Sequence, residues 1–261
     1  MKNLKEVSGL DIKFDEDSYD LKFPGYMQEV EPAVRELDDM REVLFDRSAQ
    51  SPRKLYYMWR DVHRLNDKNL LSDYELRYDI TVIPPGMIGR EFIKTAGHYH
   101  PEIEGTKITY PEVYEVLKGG AHYLLQKVDG KNFDKILDVV LIRASCGDKV
   151  VIPPGYGHIT INPFAEPLVM SNFVCSNFSS VYEPVKRMEG AAYYEVDTPD
   201  NFIKNENYTE IPDMRACDAR DVPEFGLEKN IPLYSSFLAN PGRFGYLAHP
   251  GDYMENFSKI L

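Results

Sequence analysis

An all-β core, built as a sandwich or a closed barrel, is the fold class that this chain of 261 residues predicts. Two observations carry the expectation. From about residue 75 to residue 190 the chain breaks into short runs rich in β-branched and aromatic residues: ELRYDITVIPP, EFIKTAGHY, VYEVLKG, AHYLLQKV, ILDVVLI, KVVIPP, HITINP and LVMSNFV. Gly, Pro, Asp or Asn separates them, as turns require. Closely spaced strands of this kind form sandwiches or barrels, and closure removes the unpaired edges that would otherwise recruit other chains.

The elements outside this core are less regular. Residues 1–74 predict an N-terminal arm packed on the barrel. Within it DIKFD alternates as a short strand. EPAVRELDDMREVLFD carries Val34, Leu37, Met40 and Leu44 near helical spacing, which predicts a helix. A second short helix is expected around SPRKLYYMWRDVHRLND, where Tyr56, Tyr57 and Trp59 serve ordinary packing. DGKN at 129–132 predicts a hairpin turn between two core strands. Residues 191–261 are loop-rich, then aromatic, and are expected to wrap the core or to form a subunit contact. No internal repeat or low-complexity tract is present.

Composition narrows the function classes. The hydrophobic fraction is 43% and the formal net charge −12, with a pI near 5.0. Such a field repels nucleic acid and anionic membrane surfaces, so neither is expected as a partner. A phosphorylated ligand would need a local cluster of donors to offset it. Cys146, Cys175 and Cys217 form neither a CxxC pair nor an even framework, and predict reduced thiols in a cytoplasmic protein. No apolar run approaches a membrane span, and MKNLKEVSGLDIKFDED lacks the apolar region of a secretory signal.

Two half-sites of metal-ligating residues stand out between 97 and 162. The first is Gly97-His98-Tyr99-His100, followed by Glu112 and Gly119. The second is Gly147, Pro153, Gly155, His158 and Asn162. Histidines one residue apart point the same way on a strand and can reach one ion together. A carboxylate and a third His from neighbouring strands complete a His₃Glu set, which suits Fe(II), Mn(II) or Zn(II) and leaves positions open for substrate. Glu102 and Glu104 fall in a loop, and Glu115 faces the other side of the strand from Glu112, so Glu112 is the best carboxylate, with Tyr114 on its face.

These motifs resemble the cupin superfamily, a small double-stranded β-helix (jelly-roll) barrel. More closely, they resemble the cupin-type, or archaeal-type, glucose-6-phosphate isomerases. The matching residues are Thr95-Ala96-Gly97-His98-Tyr99-His100, then Glu112-Val113-Tyr114, then Gly119, with ITVIPPGMIGREF upstream. The resemblance covers roughly residues 30–185. It implies one divalent metal ion per chain on His98, His100, Glu112 and His158. It implies a phosphate held by Thr81, Thr95 and Gly97; by residue type, Arg90 or Lys94 could add further donors. It gives Glu112 the proton transfer and sets Tyr114 and Tyr182 near the sugar. A cytoplasmic homodimer serving glycolysis and gluconeogenesis is the expected context.

The residue types suit an aldose–ketose isomerisation, whose barrier is the weak acidity of the C–H beside a carbonyl. A metal that polarises the carbonyl and a carboxylate that shuttles the proton lower it. A hydride shift is the rival mechanism. The same ligand set also serves oxygenases, a mannose-6-phosphate isomerase, or a non-catalytic barrel that binds sugar phosphates.

Overall fold

The computed structural model describes residues 1–130, 132–198 and 201–261. Ten strands build two facing sheets. β1 (Ala33–Glu36), β2 (Lys54–Trp59), β3 (Leu76–Ile83), β4 (Glu112–Lys118), β7 (Lys149–Ile152) and β9 (Leu168–Cys175) form one, in the order β7-β4-β9-β3-β2-β1, all antiparallel. The other holds β5 (Gly120–Asp129), β6 (Asn132–Ser145), β8 (Tyr156–Ile161) and β10 (Arg215–Asp218), in the order β8-β5-β6-β10. Within it β10 runs parallel to β6 and forms an exposed edge. The pair forms a double-sheet β-barrel around a shared core.

Alternation along the six-stranded sheet explains how it is buried on both faces. Tyr56, Met58, Tyr114, Val116 and Met170 point inward, to a core shared with Tyr123, Leu125, Val139 and Leu141 of the opposite sheet. Tyr57, Trp59, Tyr78, Ile80, Val113, Val151 and Phe173 point outward. That outer face is covered by both ends of the chain. Leu4, Leu10, Ile12 and Phe14 come from the first residues. Leu233, Tyr234 and Phe237 come from α1 (Leu233–Ala239), and Phe244, Tyr246 and Phe257 follow it.

Two local expectations fail for a common reason. The stretch expected as one helix is β1, a four-residue helix at Leu37–Met40 and a 3₁₀ turn at Arg41–Val43. Val34 pairs with Tyr57, and Glu36 and Asp39 close a capping box that starts the short helix. SPRKLYYMW is no helix either, but strand β2, with Tyr57 opposite Val82. Isolated helices this short are marginal, so sheet pairing across the barrel prevails. EFIKTAGHY is a strand only at Glu91–Phe92 and continues as single bridges. The β5–β6 hairpin pairs Asp129 with Asn132 around Gly130, which has φ +59°; Lys131 of the expected turn lies outside the described residues.

The outer core is tied to the barrel by a buried ion pair. Lys149 Nζ lies 2.9 Å from Glu115 Oε1, and Glu115 also accepts the Leu233 N–H at 3.0 Å. Burial raises the Glu115 carboxyl to about 7 against the pull of Lys149. At pH 8, where the pair is ionised, Glu115→Gln strands a buried ammonium. Removing one partner of such a pair costs about 3–5 kcal/mol. The expected outcome is a lower denaturant midpoint at unchanged m. A loss under about 1 kcal/mol would show that Lys149 finds other partners.

Candidate active site

The irregular segment before β4 brings the first two histidines to the barrel mouth. Gly97 sits at φ +76°, and a Cβ there would lie 2.5 Å from Ile159 Cγ1, so only glycine allows this approach to β8. The chain then pairs reciprocally: His98 N–H donates to His158 O at 3.2 Å, and His158 N–H to His98 O at 3.0 Å. Glu112 opens β4, in register with Ile152 and Val174. At the end of β8, Asn162 Nδ2 donates to Ile83 O and Glu166 O, which closes the following turn.

One donor atom from each of His98, His100, Glu112 and His158 falls within 4.8 Å of the others. His98 Nε2 lies 3.2 Å from His100 Nε2. Glu112 Oε2 lies 3.3 Å from His100 Nε2 and 3.1 Å from His158 Nε2. A coordination shell with bonds of about 2.0–2.2 Å places its donors about 3–4.4 Å apart. The electronics fit as well as the spacing. His100 Nδ1 lies 2.8 Å from Tyr110 O; a carbonyl only accepts, so Nδ1 donates there and Nε2 faces the cluster. Burial, reinforced by the neighbouring imidazoles, holds His98 well below the ordinary imidazole range. Burial also lowers His158, against the pull of Glu112. Burial would raise Glu112, but His100 and His158 outweigh it and hold the carboxyl well below its usual range. Imidazoles converging on a carboxylate are the donor set a divalent cation completes.

This arrangement makes a pH prediction. Metal affinity falls when protons compete for the ligands. Two imidazoles with an ordinary pKa of about 6.5 would lose about tenfold in affinity between pH 7 and pH 6. Because burial lowers His98 and His158, protons compete less for them, and the expected loss is smaller than about tenfold. Metal titrations at the two pH values decide it.

The cluster opens into a cavity of about 260 Å³, which Thr81, Thr95, Gly97, Tyr114 and Tyr182 also line. Tyr114 Oη lies 3.1 Å from His158 Nε2, and burial keeps its proton well above the ordinary range. The Tyr182 ring centroid is 5.4 Å from that of His98. The two threonines are not on adjoining strands. Thr81 lies on β3 between Met58 and Met170, whereas Thr95 is in the irregular segment against Thr160. Thr95 Oγ1 accepts the Thr160 N–H at 3.0 Å, which leaves its own O–H free to donate. Among the described residues the Gly97 N–H donates to no protein group.

Neither expected cationic donor reaches the cavity. Lys94 is buried, paired with Glu91 at 2.5 Å and donating to Val43 O. Arg90 is exposed and does not line the cavity. The guanidiniums in the wall are instead Arg60 and Arg77, together with Tyr56 and Asn172, none of which the motifs singled out. A period-two reading of Arg77, Asp79 and Thr81 on one strand face would have found Arg77; nothing local marks Arg60.

A family model described as glucose-6-phosphate isomerase (GPI) matches residues 34–212, more than half of the chain. The chain belongs to the glucose-6-phosphate isomerase family. It is an enzyme with relatives in that family: the glucose-6-phosphate isomerase of Thermococcus litoralis is 29% identical over 174 residues, covering 63% of this chain and 76% of the relative. That of Thermococcus gammatolerans is 30% identical over 177 residues, covering 64% and 85%. Among solved structures, oxalate decarboxylase from Bacillus subtilis overlaps 49% of this chain and 27% of its own at 18% identity, with a TM-score of 0.35, a slight overlap. The family match ends at residue 212, so most of the C-terminal cover of the outer core lies beyond it. Among the described residues no helix is long and apolar enough to cross a membrane.

Proposed function

We propose that this chain interconverts glucose-6-phosphate and fructose-6-phosphate with a divalent ion, Fe(II), Mn(II) or Zn(II), held by His98, His100, Glu112 and His158. The observation that carries the proposal is the convergence of three imidazoles and one carboxylate in the wall of a cavity suited to one open-chain sugar phosphate. A bound ion supplies a Lewis acid for the carbonyl and its neighbouring hydroxyl. Glu112, ionised and buried beside them, takes the proton from C2 of the aldose and returns it to C1, while the hydroxyl proton of O2 passes to O1. Tyr114 keeps its proton and donates a hydrogen bond toward the reacting oxygens. Thr81, Thr95 and the Gly97 amide offer donors to the phosphate, and Tyr182 packs against the sugar. A cytoplasmic homodimer acting in glycolysis and gluconeogenesis goes with this reading.

The test is a coupled assay with fructose-6-phosphate on stripped and reloaded protein. Chelation should abolish turnover, and Mn(II) or Fe(II) should restore it. Unchanged turnover in metal-free protein would remove the ion from the reaction. No turnover in the metal-loaded protein would remove the isomerase assignment itself.

A further inference from the structure

Three side chains at the inner face of the six-stranded sheet form a charged group outside the His–Glu cluster. Asp79 is fully buried. Arg60 Nη1 donates to its Oδ2 at 2.7 Å, and Arg77 Nε to its Oδ1 at 2.9 Å and Oδ2 at 3.0 Å. The Asp61 N–H adds a fourth bond at 2.9 Å. One guanidinium would neutralise this carboxylate, yet there are two. The group therefore keeps one uncompensated positive charge, in a chain whose net charge is −12.

That charge faces the ligand. Arg60 and Arg77 both line the cavity, with side chains 44% and 31% exposed. Burial works against the charge on Arg60, but Asp79 outweighs it and holds the guanidinium protonated. Arg60 spends its other terminal nitrogen on Met58 Sδ at 3.2 Å. Among the described residues both terminal nitrogens of Arg77 donate to no protein group. Asn172, opposite Asp79 in register, is 2% exposed and also lines the cavity. Its Nδ2 has no hydrogen-bond partner among the described residues. Charged and neutral N–H donors thus collect on one wall, with the Thr81 position two residues along β3 from Asp79.

We propose that Arg60 and Arg77, fixed in place by Asp79, recognise the phosphate of the sugar phosphate and set the preference for phosphorylated over neutral sugars. The inference rests on the reading that the cavity takes such a ligand. The physical ground is that threonine hydroxyls and an amide supply hydrogen bonds without charge. A dianion entering a strongly acidic protein needs charge as well, and planar guanidiniums provide both. The pinning carboxylate holds them ready, so little side-chain freedom is lost on binding.

The test uses full-length, metal-loaded protein and Arg60→Gln, Arg77→Gln and Arg77→Lys. Each variant keeps a cation on Asp79, and its thermal transition reports that the barrel is intact. Inorganic phosphate, titrated calorimetrically, should bind at least about tenfold more weakly to either Gln variant. The dependence of binding on ionic strength should become shallower, and Arg77→Lys should recover part of the loss. KM for fructose-6-phosphate should rise more than kcat falls. Phosphate affinity and salt dependence unchanged in both Gln variants would overturn the proposal and leave the pair as a structural clamp on Asp79. If the wild type turns over no hexose phosphate, the isomerase reading fails, while the phosphate titration still decides whether this wall binds the anion.

Discussion

Replacing His158 by alanine is expected to weaken metal binding by more than about 100-fold, beyond the 10–100-fold typical of outer-shell partners, and to take turnover to background. The side chain is 1% exposed and its Nε2 meets Glu112 Oε2 at 3.1 Å, so no neighbouring donor or water replaces it readily. The fold should survive. The two hydrogen bonds that join residues 98 and 158 are made by the backbone and do not depend on the imidazole. Metal analysis of the purified variant, with circular dichroism to report the barrel, measures both halves of the expectation. Full metal occupancy in a variant lacking both His98 and His158 imidazoles would refute the site.

Glu112→Gln is the second large effect. The substitution keeps size and hydrogen-bonding capacity but removes the carboxylate proposed as the base. A positioned acid–base group contributes about 10²–10⁴-fold, so kcat should fall by that order while KM changes much less. Glutamine is also a poorer ligand than carboxylate, so occupancy has to be measured beside the rate. A metal-replete Glu112→Gln variant with near wild-type kcat would exclude the carboxylate as the base. The environment makes the role physically reasonable: His100 and His158 keep Glu112 ionised despite its burial, so it is ready to accept a proton.

The sequence made the barrel legible because its signals are local. Runs such as LRYDITVI and LVMSNFVC are too short and too β-branched for helices, and proline or polar turns bound them; they are β3 and β9. The donor residues were legible for the same reason. His98 and His100 share a spacing, and His158 stands three residues after Gly155. The N-terminal strands were not legible, because EPAVRELDDM and KLYYMW carry patterns compatible with either period. Their partners, Tyr57 for Val34 and Val82 for Tyr57, lie elsewhere in the chain.

By itself, then, the sequence determined the β class, the positions of most core strands between 75 and 190 and the residue types that could hold a metal. Each of these follows from side-chain alternation and from turn residues read within a few positions. Only the tertiary structure decided that both chain ends cover the outer face of the sheet that carries Glu112. It alone replaced Arg90 and Lys94 with Arg60 and Arg77 in the cavity wall. These arrangements depend on cross-strand register and on which residues share Asp79. A one-residue slip would turn each strand's side chains to the opposite face, so apart from the alternation of Arg77, Asp79 and Thr81 no local pattern encodes them.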